Sequence, residues 1–214
     1  MSRLRHVCCF FMLAGAAACQ TASPDKPAAD GPKVVAEEAE AWRSVASPRD
    51  SAALDSLTDR WRTALAAGRA AKLSRRIAAE GELLVPDSRL PRAAPAPGSY
   101  RCRYVRPAGR RWVSSAQGFC YVGVEEGQLT LATEIRGLRF GGYLWELKGG
   151  ERLVFLGGVV PAGTRTPQAY GDNPARDAAG LVERIGEFRY RLTLPEPSPG
   201  AGLTVVELVA APRA

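Results

Sequence analysis

The polar run YGDNPARDAAGLVERIGE, residues 170–187, holds the densest set of side chains able to do chemistry. Asp172 and Glu183 stand at the separation of positions 1 and 12 of an EF-hand loop, where both carboxylates would bind calcium. Pro174 and Arg176 fall at positions 3 and 5, and Asp177 stands where the sharp-turn glycine belongs, so the run does not make a calcium site. The same residues suit a turn, with Asp172, Asn173 and Pro174 in an Asx-type turn and Asp177 capping a short helical turn. Two readings of the cations stay open: Arg176, Arg184, Arg189 and Arg191 form an anion-binding surface, or they brace a long loop against nearby acids. The candidate binding set is Tyr170, Asp172, Arg176, Asp177, Arg184 and Arg189.

Catalytic patterns are harder to find. The one histidine is His6, in the N-terminal leader. Beyond the leader no Ser/His/Asp triad, Cys/His pair or histidine metal ligand can be assembled. Two cysteines without histidine cannot fill a zinc site. Glu125 and Glu126 are adjacent, so on a strand they point to opposite faces and read as a turn, not an acid/base pair. No P-loop or G-x-G-x-x-G stands between a strand and a helix. The expectation is a protein without catalytic residues, metal or cofactor.

The leader reads MSRLRHVCCFFMLAGAAAC: Arg3, Arg5 and His6, an apolar run over residues 7–18, then Cys19. Spanning ~30 Å of hydrocarbon takes ~20 apolar residues, so this run is a secretion signal and not a membrane span. Ala16, Ala17 and Ala18 before Cys19 resemble a bacterial lipobox, with Ala16 in place of the usual Leu. On that reading residues 1–18 are removed, and Cys19 is diacylated and anchors the chain to the lipid bilayer. The other reading is an ordinary A-x-A cleavage site with an incidental cysteine. Gln20, in place of Asp, lets such a lipoprotein travel on to the outer membrane, facing the periplasm.

Of the net charge of +7, the leader carries Arg3 and Arg5. What remains is mildly basic, suited to anionic lipid or to an acidic protein partner in the periplasm. No aromatic-and-basic pattern tracks a nucleic-acid backbone, and secretion argues against one. Among the five cysteines, only Cys102 and Cys120 are left outside the leader once Cys19 is acylated. In an oxidising compartment they form one bridge, which would contribute about 3 kcal/mol by closing its loop. The alternative is a pair of buried reduced thiols.

The elements that must position these groups follow from periodicity. Residues 19–35 are rich in Ala, Pro, Asp and Lys and read as a flexible tether. Residues 36–85 are helical. Ser47, Pro48 and Asp50 supply an N-cap, an N1 proline and an acidic first turn. Leu54, Leu57, Trp61 and Leu65 make one apolar stripe, Gly68 is a candidate end, and a second helix through Leu73 and Ile77 stops at Gly81. Arg69, Lys72, Arg75 and Arg76 form a basic face, either solvated or resting on anionic headgroups.

Residues 91–98 are a Pro/Ala linker, and the period then drops to two. Strands are expected at 99–106, 119–126, 128–135, 138–148, 152–160, 180–187, 188–194 and 203–209. In 188–194 the alternation of Phe188, Tyr190, Leu192 and Leu194 with Arg189, Arg191 and Thr193 implies one wet face. Residues 138–148 are apolar on both faces, with Leu138, Phe140 and Leu144 on one and Tyr143, Trp145 and Leu147 on the other. Both faces therefore need cover, and the helices should supply it outside. The fold class is α+β: an N-terminal helical pair packed on an antiparallel β meander closing into a small lipocalin-like barrel, with 96–210 the β-rich part and 36–210 one unit. Tyr100, Tyr104, Phe140 and Trp145 either line an interior cavity or fill it.

The segments EGELLVPDSRLP, PGSYRCRYV, FCYVGV, LVFLGG, YGDNPARDAAGLVERIGEFRYRLTLPEP and VVELV resemble an uncharacterised bacterial family, domain-of-unknown-function family 4893, over residues 42–209. VERIGEFRYRL and the two cysteines carry most of the likeness, and TEIRGLRFGGYLWE carries less. The resemblance implies a secreted, cystine-bearing domain and adds no chemistry. At the level of fold alone, the chain is also similar to periplasmic barrels that inhibit proteases or lysozyme. The expected function is a non-catalytic envelope lipoprotein with a binding or scaffold role. The alternatives are an inhibitor inserting loop 160–173 into a periplasmic hydrolase, and a carrier of a small apolar ligand. Changing Cys19 to Ser should move the protein from the membrane pellet to the soluble periplasmic fraction; continued pelleting would refute acylation as the anchor.

Overall fold

Eight strands with the side-chain period of two, most of them joined by short breaks, leave a chain little choice but to pair neighbours antiparallel. The computed structural model describes residues 41–107, 112–160, 164, 167–196 and 202–211. The expected signal peptide, Cys19 and the expected tether lie outside these. The strands are β1 (Gly98–Arg106), β2 (Val113–Ser114), β3 (Gly118–Glu125), β4 (Gln128–Glu134), β5 (Phe140–Glu146), β6 (Leu153–Val159), β7 (Asp177–Gly186), β8 (Arg189–Pro195) and β9 (Leu203–Ala210). From β3 to β9 each pairs with the next, and β1 joins both β3 and β9, closing an eight-stranded barrel. All eight expected strands are present. The two-residue β2, which pairs only with the end of β1, was not legible from periodicity. Glu126 and Gly127, at φ 50° and 85°, make the two-residue turn between β3 and β4, the mirror-image type that matches strand twist.

The barrel interior is packed with side chains. Tyr100, Tyr104, Leu131, Phe140, Leu144 and Phe155 belong to one buried cluster, and the Phe140 and Phe155 rings sit 5.1 Å apart. Trp145 is the exception to the expected set: it faces outward, toward the helices. Cys102 and Cys120 are disulfide-bonded inside this cluster, with Cα atoms 5.8 Å apart. The bridge ties β1 to β3 on a diagonal, since Cys102 pairs in register with Gly118 and Cys120 with Tyr100. Gly142 and Gly157 face each other on β5 and β6. A Cβ on Gly157 would stand 2.6 Å from the Phe155 ring and 2.3 Å from the Gly141 carbonyl, so only glycine lets the ring lie there.

A second buried cluster lies outside the barrel. Leu54, Leu57, Trp61 and Leu65, the expected stripe, meet Val154, Leu181, Leu203 and Val205 from the outward faces of β6, β7 and β9. The helices are α1 (Trp42–Val45), α2 (Pro48–Asp55), α3 (Leu57–Ala70) and α4 (Ser74–Ala79), followed by a 3-10 turn at Gly81–Leu84. The expected pair is thus subdivided at Ser56 and Ala71. Ser47 caps α2 as expected, accepting from the Asp50 N–H.

Gly68 does not end its helix. A Cβ there would meet the Pro107 carbonyl at 2.4 Å, so this glycine serves close packing of helix on barrel. The helix ends two residues later, where Lys72 takes φ 63° and the N–H groups of Leu73 and Lys72 return to the carbonyls of Gly68 and Arg69. That is the Schellman closure with lysine in the usual glycine position.

The expected wet face of β8 is also corrected: Arg191 and Thr193 are fully buried, because the helical layer covers the polar side of β8 as well as the apolar side of its neighbours. Deleting residues up to Pro95 would bare this whole surface, at about 1.5–3 kcal/mol for each large apolar side chain returned to water. The fragment 96–214 should therefore be insoluble, and a soluble fragment with a cooperative melt would refute the packing as a requirement for folding.

Candidate functional site

Strand register places four charges of alternating sign side by side across the outside of the barrel. Arg103 on β1 pairs with Glu207 on β9, Glu207 with Arg191 on β8, and Arg191 with Glu183 on β7. Arg103 donates to Glu207 at 2.6 Å and, with both terminal nitrogens, to Glu80 after α4. Arg189 reaches diagonally to the other Glu207 oxygen. The hydrogen bond to Glu80 leads the effects that raise the Arg103 pKa, against the lowering effect of burial.

Arg191 is the centre of this row and has no exposed surface. Its Nε donates to Glu183 at 2.7 Å. Its terminal nitrogens donate to the carbonyls of Val85 and Pro86, just past the 3-10 turn, while Trp61 lies with its ring centroid 5.2 Å away. A buried guanidinium is tolerable only with such partners. The residue expected either to bind anions or to brace does the second.

The run 170–187 is divided among three places. Tyr170 leaves the loop for the start of α2, where its hydroxyl donates to Asp50 at 2.6 Å and accepts from the Ser47 N–H. Burial, then the bond to Asp50, raises its pKa, so the phenol remains a donor through the neutral range. Asn173 supplies the Asx turn, accepting from the Ala175 N–H. Asp177 accepts from the Gly171 N–H, tying off the loop's base instead of capping a helical turn. Asp172 is exposed, as is Arg176, whose backbone carbonyl accepts from the Val159 N–H. Arg189 belongs to the charge row. Within loop 160–173, residues 161–163 and 165–166 lie outside the described set.

Arg184 stands elsewhere, at the end of the barrel where β1 begins and β9 finishes. By alternation it shares the inward face of β7 with Val182, and it sits directly opposite Tyr190. Linker residues 91–98 cross this end. The Leu90 N–H donates to the Arg184 carbonyl, and the Ala93 N–H donates to Gly150 in the β5–β6 turn. Ala93 itself is buried in the interior cluster. Tyr100 packs edge-on to Tyr190 at 6.1 Å and donates to the Ala96 carbonyl. Burial, with Tyr190 beside it, pushes the Tyr100 pKa up to about 12. Burial raises Tyr190 too, with Arg184 pulling it down. An opening of about 710 Å³ remains beside the linker, floored by Tyr100, Tyr190 and Arg184 and edged by Pro97, Glu187 and Phe188.

Among the described residues, the Arg184 Nε is buried without a hydrogen-bond partner. No cluster of His, Cys, Asp and Glu among those residues could hold a metal ion. A family model, the domain of unknown function DUF4893, matches residues 42–208. The chain belongs to this family. No curated protein and no solved structure matches it.

The DUF4893 match spans both the helical layer and the closed barrel, so the family's unit is the two together. Two of the segments that carry the resemblance, EGELLVPDSRLP and VERIGEFRYRL, meet at Arg191. Nothing in the sequence spacing joined them, since they lie about a hundred residues apart. Arg184 was within the candidate set, but its place beside Tyr100, Tyr190 and the linker was not legible. Arg191→Met should cost about 3–5 kcal/mol by stranding Glu183 and the Pro86 carbonyl, read from the denaturant midpoint. A loss below about 1 kcal/mol would show that Arg191 does not hold the helical layer.

Proposed function

We propose that this DUF4893 protein is a non-catalytic binding protein of the bacterial envelope, tethered to the bilayer through acylated Cys19. Its binding element is the linker-crossed end of the barrel. The observation that carries this reading is the unequal use of charge. The arginines buried under the helices are matched to carboxylates and carbonyls, whereas Arg184 faces an open recess with no partner among the described residues. A recess of this volume falls in the range that small-molecule sites occupy. The packed interior argues for a ligand held at the end of the barrel rather than enclosed within it.

The inhibitor reading rests on loop 160–173. Its described portion is fastened: Pro167 and Gln168 lie over Gly141 and Gly158, and Tyr170 is anchored on α2. A segment held this way braces the fold, which favours the binding-protein reading over insertion into a partner's active site. The purified chain, incubated with an extract of envelope lipids and small metabolites and then washed, should retain a non-protein mass in native mass spectrometry. Recovery of the bare chain alone, with no shift in its melting temperature, would overturn the reading.

A further inference from the structure

The recess at the barrel end combines three features that together specify a ligand class. Its cation is uncompensated: Arg184 makes no ion pair among the described residues, and its Nε is buried and unbonded. Stranding a buried donor costs about 1–3 kcal/mol, more for a charged group, so this site stabilises whatever supplies an acceptor. A second donor stands beside it. Tyr190 is 7% exposed, opposite Arg184 in register, and its hydroxyl has no hydrogen-bond partner among the described residues. Tyr100 is not available as a donor, because its hydroxyl already serves Ala96.

The third feature is the edge. Ala96, Pro97, Ala210 and Ala211 line one side of the recess, and Phe188 stands 63% exposed at the tip of the β7–β8 turn. An exposed phenylalanine beside a small-residue wall can be covered by an apolar chain. Among the described residues that line the recess the one acid is Glu187, exposed on that turn and not paired with Arg184.

From these we infer that the recess binds an amphiphilic anion, its carboxylate or phosphate headgroup on Arg184 and Tyr190 and its apolar chain against Phe188 and the linker. This rests on the reading of the barrel end as a binding element and adds the ligand's chemistry. A charge-assisted bond to a guanidinium is roughly twice as strong as a neutral one. Headgroup charge should therefore dominate selectivity.

The full chain is titrated by calorimetry with dodecanoate, dodecyl phosphate and dodecanol. Both anions should bind at least about tenfold more tightly than the alcohol, the worth of one well-placed charge-assisted bond. The tighter of the two identifies the headgroup as carboxylate or phosphate. Arg184→Gln should erase the difference between anion and alcohol while the chain still melts cooperatively. Glu187→Gln, on the exposed turn where folding is not at stake, should tighten both anions about twofold and leave dodecanol unchanged. Equal binding of dodecanol and dodecanoate, or anion binding indifferent to both substitutions, would overturn the inference. If the chain retains a mass from envelope extract yet shows either of those results, the binding-protein reading stands and only the ligand class fails. If it retains nothing and binds none of the three probes, both fail.

Discussion

A guanidinium sealed from water must find acceptors, and Arg191 finds them in the segment that leads from the helices to the barrel. Its partners are a carboxylate on the neighbouring strand and the carbonyls of Val85 and Pro86. Those carbonyls lie past the end of a 3-10 turn; Val85 also accepts from the Ser88 N–H and hydroxyl, while Pro86 is served by the guanidinium. The buried guanidinium and the Pro86 carbonyl, each costly alone, are satisfied in one docking. A wholly apolar replacement would avoid the desolvation, but it would not specify which stretch of chain must sit on β8. The guanidinium's bonds to the Val85 and Pro86 carbonyls mark the position at which the helical layer docks.

That placement has consequences at both ends of the barrel. Immediately after Pro86 the chain passes Leu90, pairs with the Arg184 carbonyl, and crosses the barrel end with Ala93 inside the interior cluster. At the far side of the helical layer, Tyr170 fastens the β6–β7 loop to Asp50 at the first turn of α2. The helices thus tie two separate loops to one sheet. Glu80, gripping Arg103 on β1, closes the same layer over the seam where β1 meets β9.

Inside, the barrel is closed by pairing and filled by side chains. The facing glycines of β5 and β6 give Phe155 its place, and the cystine holds β1 to β3. With the interior occupied, the unsatisfied polar chemistry is left at the rim. Arg184 escapes the fate of Arg191 for a simple reason: it points into the barrel, away from the helical layer, beyond Val182 where the β6–β7 pairing ends and the linker passes over.

Local pattern alone determined a large part of this. The period-two runs located eight strands because a strand between two environments must alternate. Ser47–Pro48 located a helix start because an N-cap is satisfied within a few residues. The two-sided apolar character of 138–148 demanded outer cover for the same kind of local reason. The cysteine count pointed to one bridge once the leader was set aside. What local pattern could not show was the partner of each charge. Arg189 and Arg191 looked like the wet side of a strand, because alternation reports which face a side chain takes and not what lies over that face. Gly68 looked like a helix stop, because the sequence does not display the Pro107 carbonyl that requires it. Arg184 and Arg191, seven residues apart in one segment, took opposite roles on opposite faces of the same wall. Only the closure of the barrel, the docking of the helices and the path of the linker decided which arginine was neutralised and which was left facing an opening, since burial and partnership are properties of the tertiary contact and not of the residue.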